Sequence, residues 1–388
     1  MKKILVACNT DPNSNPRPNR MIHWLKDDYD VEVLGVRSLE INGINSHVIG
    51  PAPRWSDPIP LLEKIKRSVR RNINMLVGKY EEVNASRLGD TSAIAEKLAR
   101  AEYDLIISHD LVLLPFLFKV KGPKTRVMLD AREYYPRNYD DQWLWRTIKK
   151  PVNDSLCRVY LPRCDKVITV SDGLADQYNR VYGIDAEVVL SLPARWDLQP
   201  QQPARDHIRI IHHGVAGRSR KTEVMLEMMD HVDERFTLDL MMVVRDKKYW
   251  QQLRSLAEKR PNVRIIPSVP MQEIVPVTNQ YDIGLFLVPP TNFNLAHTLP
   301  NKLFEFIQAR LAVAIGPNVD MSQVVRKYSC GIVAKNFDPR SLAAELNRLD
   351  METLVHFKQQ SHEAAKVLNA ETTGRRVRKI VSGLLQDC

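Results

Sequence analysis

Apolar residues follow two spacings along the chain, and stretches of the two kinds alternate. Short continuous apolar runs predict buried strands, whereas stretches with an apolar residue every three or four positions predict helices with one packed face. Because strands that alternate with helices are joined by crossovers, the pattern predicts parallel sheets covered by helices. The predicted strands are residues 2–7, 31–36, 46–49, 105–107, 127–129, 167–170, 208–212, 238–244, 263–266, 283–287 and 312–315.

The alternation restarts after a Pro- and Gln-rich stretch at residues 192–206, which is typical of a linker. At 388 residues the chain is also too long for one ordinary domain. The sequence therefore predicts an α/β protein of two doubly wound Rossmann-like domains. We assign residues 1–191 to the N-terminal domain and residues 207–370 to the C-terminal domain. We expect residues 371–388 to form a helix that crosses back to the N-terminal domain.

The stretch that follows the first predicted strand, residues 10–19, is rich in Asn, Pro and Asp. We predict a loop there and a helix that begins at Met21. Open α/β sheets bind ligands at the carboxyl ends of their strands, so this loop lies at a ligand-binding edge. It has no GxGxxG pattern, which disfavours a Rossmann dinucleotide site.

Residues 54–82 interrupt the alternation, because they contain an amphipathic helix with a strongly basic side. The apolar positions of this helix, predicted at residues 61–77, share one face: Leu61, Ile65, Val69 and Ile73. The other face carries Lys64, Lys66, Arg67, Arg70 and Arg71. Two interpretations stay open. The helix binds the interface of an anionic membrane, or its apolar face packs on the core while its basic side is solvated.

Two neighbouring strands of the N-terminal domain are followed by charged and titratable residues. His109 follows the strand at 105–107, and Asp130, Arg132 and Glu133 follow the strand at 127–129. Since the carboxyl ends of parallel strands meet at one sheet edge, these side chains are candidates for a site. The alternative is a set of helix caps and surface ion pairs.

The C-terminal domain has two candidate anion-binding turns. Residues 213–221 contain Gly214 and Gly217 with three cations, Arg218, Arg220 and Lys221, in a strand-to-helix turn that suits a diphosphate. The pattern of residues 298–317 predicts a helix followed by a strand, with Thr298 as the N-cap of the helix. Asn301, Lys302 and Glu305 lie in or next to its first turn, where backbone N–H groups bind anions. A carboxylate at Glu305 can accept hydrogen bonds from ribose hydroxyls. The alternative is an ordinary capped helix with solvated charges.

Charge and cysteine content narrow the classes of partner and compartment. The net charge of +10 and a pI of about 9.3 call for an anionic partner, either a phosphate-bearing ligand, a membrane surface or a nucleic acid. Five cysteines form no CxxC pair and no even framework, which indicates reduced thiols in the cytoplasm and no structural zinc. No apolar run has the length of an export signal or a membrane span.

The motifs in order along the chain resemble those of a known enzyme family. They are DKVITVSDGL at 165–174, HHGVAGRSRK at 212–221, YDIGLFL at 281–287, LPNKLFEFIQARLAVAIG at 299–316 and SCGIVA at 329–334. This order is similar to that of retaining glycosyltransferases of the GT-B fold, in the bacterial glycosyltransferase group 1 class (family 4-like). The resemblance covers nearly the whole chain. It implies two Rossmann-like domains facing a cleft, with a nucleotide-sugar donor held mainly by the C-terminal domain and an acceptor mainly by the N-terminal domain.

The resemblance also assigns residues, by matching positions. Arg218 and Lys221 match the basic pair on the donor diphosphate, and Glu305 matches the carboxylate that holds the donor ribose. The full donor-binding set is Gly214, Gly217, Arg218, Lys221, His297, Leu299, Asn301, Lys302 and Glu305. The catalytic set consists of Arg218 and Lys221 together with His109, Asp130, Arg132 and Glu133. The last four would orient acceptor and sugar.

The chain departs from the family pattern at four places. His297 stands where many members have a glutamate, and Arg132 stands where many have the histidine of an Asp-x-His-Glu motif. Arg310 replaces a common glycine, a change without a clear chemical meaning in the sequence. The glycine-rich loop after the first strand is replaced by residues 11–16.

The chemistry of the family needs neither a metal nor a cofactor beyond the nucleotide-sugar co-substrate. Fixed cations at Arg218, Lys221 and Lys302 would stabilise the diphosphate as its bond to the sugar breaks. The implied function is sugar transfer to a carbohydrate or lipid-linked acceptor in bacterial surface polysaccharide or glycoconjugate synthesis. It would take place in the cytoplasm, peripherally on the inner face of the plasma membrane. A nucleotide-sugar 2-epimerase of the same fold is the alternative. A nucleic-acid-binding protein is disfavoured, because the basic residues are not interleaved with aromatic ones.

Overall fold

Strand β1, Lys3–Ala7, lies inside a parallel sheet and is apolar on both faces. Ile4 and Val6 join one core cluster, while Leu5 and Ala7 join another on the opposite face. A strand buried on both faces is what a doubly wound sheet requires, because helices cover each side. The computed structural model describes residues 1–36, 43–50 and 60–386. The chain divides into unit 1, residues 1–190 with 374–388, and unit 2, residues 191–373.

Within its described residues, unit 1 has a seven-stranded parallel sheet of order β3-β2-β1-β4-β5-β6-β7. Its further strands are β2 Asp30–Val36, β3 Ser46–Ile49, β4 Leu105–Ser108, β5 Arg126–Ala131, β6 Lys166–Thr169 and β7 Glu187–Val188. Its helices are α1 Pro16–Leu25, α2 Leu61–Leu76, α3 Tyr80–Ala85, α4 Ser92–Arg100, α5 Leu114–Val120, α6 Lys150–Tyr160 and α7 Asp172–Tyr182. A π-helical turn, Trp145–Lys149, leads into α6.

Unit 2 has a six-stranded parallel sheet of order β10-β9-β8-β11-β12-β13 in the part of the chain that the structure describes. Its strands are β8 Ile208–Ala216, β9 Phe236–Val244, β10 Val263–Ile266, β11 Ile283–Phe286, β12 Ala312–Ile315 and β13 Gly331–Val333. Its helices are α8 Glu223–Met228, α9 Lys247–Ala257, α10 Ile274–Thr278, α11 Phe293–Ala296, α12 Asn301–Gln308, α13 Val319–Lys327, α14 Pro339–Asn347 and α15 Met351–Ala365. The predicted α/β class with parallel sheets is confirmed.

The last helix, α16 Ala370–Gln386, starts in unit 2 and continues into unit 1. Val377, Val381 and Leu385 of this helix belong to the same core cluster as Ile4 and Val6 of β1. The core of unit 1 is therefore built from residues of its first strand, β1, and of the last helix, α16. The predicted helix range 371–388 includes residues 387–388, which lie outside the described residues.

Several element limits differ from the sequence prediction, among them the start of α1, the end of β8 and the start of α12. Helix α1 begins at Pro16 rather than Met21, because Pro16 and Pro18 lie in its first turn, where no backbone N–H is needed. Strand β8 continues to Ala216 instead of ending at His212, since it pairs with β9 as far as Ala216 with Val244. Helix α12 begins at Asn301 with Pro300 as N-cap, so Thr298 is not the cap.

Helix α2 occupies Leu61–Leu76 close to the predicted range, but none of its residues is buried. The interpretation that its apolar face packs on the core is therefore wrong. The predicted segment 54–82 also includes residues 54–59, which lie outside the described residues. Among the helices that the structure describes, none is long and apolar enough to span a bilayer.

Candidate functional site

The turn after β8 places three cations at the carboxyl end of the unit 2 sheet. Gly217 is followed by a 3-10 turn, Arg218–Arg220, and Lys221 closes the turn in the left-handed conformation with φ of +43°. The exposed Arg218 guanidinium lies 5.4 Å from the ring centre of Tyr249, and its Nε is 3.4 Å from Asp246 Oδ2. Exposed cations on a short, constrained turn are suited to an anionic ligand.

Helix α12 brings a fourth cation, Lys302, against the end of β8. Its Nζ lies 3.3 Å from His212 Nε2 and 5.1 Å from the ring centre of Phe286. Gly214, with φ of +140°, permits this approach, because a Cβ atom there would be 2.7 Å from Lys302 Nζ. The structure thus brings two predicted donor-site residues, Gly214 and Lys302, into direct contact.

The half-buried position of the Lys302 amine between His212 and Phe286 shifts its pKa. Removal from water, and then the positive charge of Arg220, lower the pKa of Lys302 to about 7, with Glu305 opposing the shift. A buried ammonium is costly unless a counter-charge is near. A diphosphate at the N-terminus of α12 would provide that counter-charge.

His212 has a defined tautomer. Its Nδ1 lies 2.8 Å from the carbonyl oxygen of Leu285, which can only accept, so Nδ1 carries the proton. Burial, and then Lys302, hold the pKa of His212 well below its usual value, so the ring is neutral. Its Nε2 lone pair therefore accepts a hydrogen bond from Lys302 Nζ. This contact orients the amine.

Glu305 lies one turn into α12 and is almost buried. Its Oε2 is 3.5 Å from Nε2 of His213, whose ring packs edge-on against Phe306 at 5.1 Å. Burial, and then Lys302, lower the pKa of His213 to about 3, so this imidazole is neutral beside the carboxylate. The neutral His213 ring therefore adds no positive charge beside the Glu305 carboxyl group.

Other predicted donor-site residues lie before α12. His297 Nδ1 is 2.9 Å from Asp320 Oδ2, and its ring packs against Phe293 at 4.5 Å. A buried carboxylate thus orients the side chain that replaces the family glutamate. Asn301 Oδ1 accepts a hydrogen bond from Ser191 Oγ at 3.3 Å, and Leu299 is half-buried in the preceding loop.

In unit 1, Asp130 lies inside β5 and is fully buried. Its Oδ2 accepts from Arg17 Nε at 2.6 Å and lies 3.0 Å from His109 Nδ1. Arg17 also donates from Nη2 to the carbonyl of Val189 at 2.9 Å. Burial would raise the pKa of Asp130, but the charge of Arg17 and the contact with His109 hold it below its usual range. Asp130 and His109 thus form an internal charged cluster with Arg17.

Arg132 and Glu133 lie nearer the sheet edge than Asp130. Arg132 Nη2 donates to Asp110 Oδ1 at 3.0 Å, and the other Asp110 oxygen accepts from the backbone N–H of Asn9 at 2.7 Å. Glu133 is hydrogen-bonded by the Asn138 side chain. The structure therefore separates the four predicted N-terminal residues into a buried pair and a half-buried pair, and their roles stay predictions.

Sequence reasoning missed Arg17, His212 and His213 as members of these clusters. The sequence predicts a loop at Arg17, whereas α1 carries this residue over the end of β5. The two histidines precede Gly214 directly, and that adjacency was the signal available. No group of three or more His, Cys, Asp or Glu side chains within residues 1–36, 43–50 and 60–386 is arranged to hold a metal.

Comparison with known proteins identified a family model and solved structures that are similar to this chain. The model of the family "Glycosyltransferase Family 4" matches residues 36–193. No curated protein sequence matches the chain. The structure of sucrose-phosphate synthase from Thermosynechococcus elongatus is similar over 100% of both chains, with 11% identity and a TM-score of 0.74. Anabaena HepE in complex with UDP-glucose is similar over 99% of this chain and 100% of its own, with 11% identity and a TM-score of 0.70.

A third similar structure is an alpha,alpha-trehalose-phosphate synthase (UDP-forming) from Burkholderia vietnamiensis. It covers 99% of each chain, with 10% identity and a TM-score of 0.65. At these identities the likeness establishes the fold, which is the predicted GT-B fold. The fold and the family domain together define the class, a glycosyltransferase. Residues 36–193 match the Glycosyltransferase Family 4 model, and the whole chain has the fold of the GT-B structures named above.

Proposed function

We propose that the protein transfers a sugar from a nucleoside-diphosphate sugar to a carbohydrate or lipid-linked acceptor. The observation that carries the proposal is the cluster in unit 2, where the half-buried Lys302 packs against Gly214 beside the turn Arg218–Arg220. Four cations and the N-terminus of α12 form a site for a diphosphate, and Glu305 is close enough to Lys302 to influence its pKa. Two similar structures support UDP as the first nucleotide to test, because their titles name UDP-glucose and a UDP-forming reaction.

Retention of configuration and independence from metal are part of the same proposal. The bond between the sugar C1 and the diphosphate oxygen breaks while the acceptor oxygen bonds to C1 on the same face. The acceptor proton passes to the departing phosphate oxygen, so no protein nucleophile is required. Arg218, Lys221 and Lys302 stabilise the negative charge that grows on the diphosphate.

Biological placement completes the proposal. We assign the reaction to bacterial surface polysaccharide or glycoconjugate synthesis, with a cytoplasmic enzyme bound peripherally to the inner face of the plasma membrane. The free thiols of Cys8, Cys157, Cys164 and Cys330 are compatible with a reducing compartment.

Three variants test the donor site by calorimetry and by acceptor-dependent turnover. Arg218→Ala and Lys221→Ala should each lower turnover on the order of 100-fold, with a smaller loss of nucleotide affinity. Alanine rather than glycine is used at Lys221, because glycine would also relax the left-handed backbone. Glu305→Gln should weaken nucleotide binding by about 1.5–3 kcal/mol.

The exposed Arg340→Ala variant on α14 is the matched control, since it removes a cation of unit 2 away from the turn. It should bind and turn over as the wild type does. Chelation of metals should leave turnover unchanged. If the wild type binds no nucleoside diphosphate, or if the three variants transfer at full rate, the donor-site assignment is wrong. Release of a nucleotide-sugar epimer without an acceptor would instead indicate the 2-epimerase.

A further inference from the structure

Helix α2 turns its apolar side outward from unit 1. The exposed fractions of Leu61, Ile73 and Leu76 are 64%, 53% and 87%. The half-buried positions of the helix are mainly polar, Lys64 and Ser68 among them. This is the reverse of a helix that packs on a core, whose apolar stripe would be covered. An apolar stripe that the described residues of unit 1 leave exposed indicates a surface for a partner.

A second exposed apolar segment lies just before α6. Trp143 and Leu144 are 65% and 62% exposed, and Ile148 on the π-helical turn is also exposed. Arg146, Lys149 and Lys150 lie among these residues, and all three are exposed. Tryptophan and long basic side chains together are typical of segments at a lipid–water interface.

The two segments are close to each other in unit 1. Helix α3 follows α2 and is tied to α6 by a hydrogen bond from Tyr160 Oη to Glu81 Oε1 at 2.7 Å. Arg87, just beyond α3, donates to Asn153 of α6 at 2.9 Å. Burial, and then the charges of Arg87 and Arg71, lower the pKa of Lys149, so α2 and the π-helical turn share one electrostatic environment.

We propose that α2 and residues 143–150 form one docking surface, the basic apolar surface, which binds an anionic lipid bilayer. The exposed leucine, isoleucine and tryptophan side chains enter the interface, while the surrounding cations contact lipid phosphates. Helix α2 carries five basic residues and one acidic residue, Glu63, which pairs with Lys66 at 3.1 Å. The excess of basic over acidic residues on α2 therefore attracts an anionic surface.

Charge also decides between a bilayer and a second copy of the chain. In a symmetric dimer the same patch faces itself, so the cations of α2 would oppose identical cations. Like charges brought together in this way oppose association. Anionic phospholipids remove that repulsion and cover the apolar side chains as well. The proposal extends the membrane association proposed above to specific side chains, and its test requires no sugar transfer.

Sedimentation of the full chain with vesicles tests the proposal. Wild type should bind vesicles of phosphatidylcholine with 30% phosphatidylglycerol and should bind pure phosphatidylcholine far more weakly. Substitution of Lys66, Arg67, Arg70 and Arg71 by Gln should weaken binding at least 100-fold, since each basic residue near the surface contributes about fivefold. Trp143→Ala, and separately Ile65→Ser with Val69→Ser, should also weaken binding, because these side chains enter the interface.

A control with the same loss of four charges replaces Arg326, Lys327, Lys335 and Arg340 of unit 2 by Gln; these residues are also exposed. It should sediment nearly as the wild type does. All variants change exposed side chains and should keep nucleoside diphosphate affinity, which separates this proposal from the donor site. Equal wild-type binding to both vesicle types, or unchanged binding by the α2 variants, would overturn it. So would a dimer in sedimentation equilibrium that Ile65→Ser with Val69→Ser abolishes while vesicle binding persists.

Discussion

A single amine, Lys302, sets how donor binding should respond to pH. Its pKa of about 7 in the ligand-free protein means that the amine is largely neutral at pH 8. A bound diphosphate favours the ammonium and raises this pKa, so binding takes up a proton. Nucleotide affinity should therefore fall as pH rises above 7, by up to about tenfold per unit.

Calorimetry at pH 8 in buffers of different ionisation enthalpy measures this uptake, which should approach one proton per nucleotide. The terminal phosphate of the nucleotide, with a pKa of about 6, is already ionised there. Lys302→Met should abolish both the proton uptake and the pH slope. No uptake by the wild type at pH 8 would show that Lys302 is charged before the donor binds.

The sign for protein stability is the opposite of that for binding. The pKa of Lys302 is lower in the folded protein than the ordinary value of about 10.4 in the unfolded chain. Between these two values the unfolded state holds more protons, so the free energy of unfolding rises with pH from 7 toward 10. A site built for an anion thus destabilises the empty protein at neutral pH.

The sequence identified Lys302 and Gly214 separately, but not their contact. Lys302 could be recognised because it lies at a helix N-terminus, and Gly214 because it lies in a turn. Their contact depends on how closely α12 packs on the sheet, which Gly284 of β11 permits, since a Cβ there would be 2.2 Å from the Phe306 ring. Such packing arises from contacts between residues far apart in the sequence. The spacing of residues within one segment does not predict it.

At the scale of elements, the structure shows what Arg310 does at a position where glycine is common in the family. It follows α12 with φ of +62°, the left-handed region in which glycine is favoured. Its side chain donates to the carbonyls of Trp196 at 2.7 Å and Leu198 at 3.1 Å. Arginine thus closes the α12–β12 junction and holds residues 196–198 against it, which a glycine could not do.

Two substitutions separate these contributions. Arg310→Ala should lower the free energy of unfolding of unit 2 by about 3 kcal/mol, because hydrogen bonds from a charged group are lost. Arg310→Gly should cost about 1 kcal/mol less, because glycine adopts the left-handed conformation without strain. Urea denaturation followed by a probe in unit 2 gives both values.

Ser329→Gly is the control for the effect of glycine on a left-handed backbone alone. Ser329 has φ of +48°, and its side chain is exposed. It should be neutral or slightly stabilising. Equal losses in Arg310→Ala and Arg310→Gly would mean that the left-handed backbone carries no strain at this junction.

The start of α1 shows why sequence reasoning failed on one element and succeeded on others. Strands such as β3 and β12 are apolar runs with sharp ends, and their limits agree with the predictions. The segment Pro16–Leu25 begins with two prolines and polar residues, which locally favour a loop. Tertiary contact decides otherwise, because Arg17 in the first turn of α1 forms its ion pair with Asp130.

At the scale of the whole molecule, that buried ion pair should make the two units unequal in their response to mutation. Arg17→Met leaves the Asp130 charge buried without its main partner and should destabilise unit 1 by about 3–5 kcal/mol. Arg17→Met with Asp130→Asn should cost less than Arg17→Met alone, since no charge is left behind. Hydrogen exchange should show faster exchange in β1, β4 and β5 and unchanged protection in β8 and β12.

In the wild type, the Arg17–Asp130 pair should make the stability of unit 1 depend on acid pH. The folded-state pKa of Asp130 is below its ordinary value, so its contribution to stability is complete above about pH 4 and declines as pH falls further. The acid transition of unit 1 should therefore shift when this pair is removed, with that of unit 2 unaffected. A change of both transitions together would mean that the units unfold as one.

The return of α16 to unit 1 fixes the order in which the protein can be completed on the ribosome. The chain leaves unit 1 after residue 190 and rejoins it at residue 374, and the helix that returns covers Ile4 and Val6. Translation of the roughly 180 intervening residues takes about 10–40 s at ordinary rates. During that time one face of the first sheet lacks its cover and is a substrate for chaperones. The unit synthesised second is therefore the first that can finish folding.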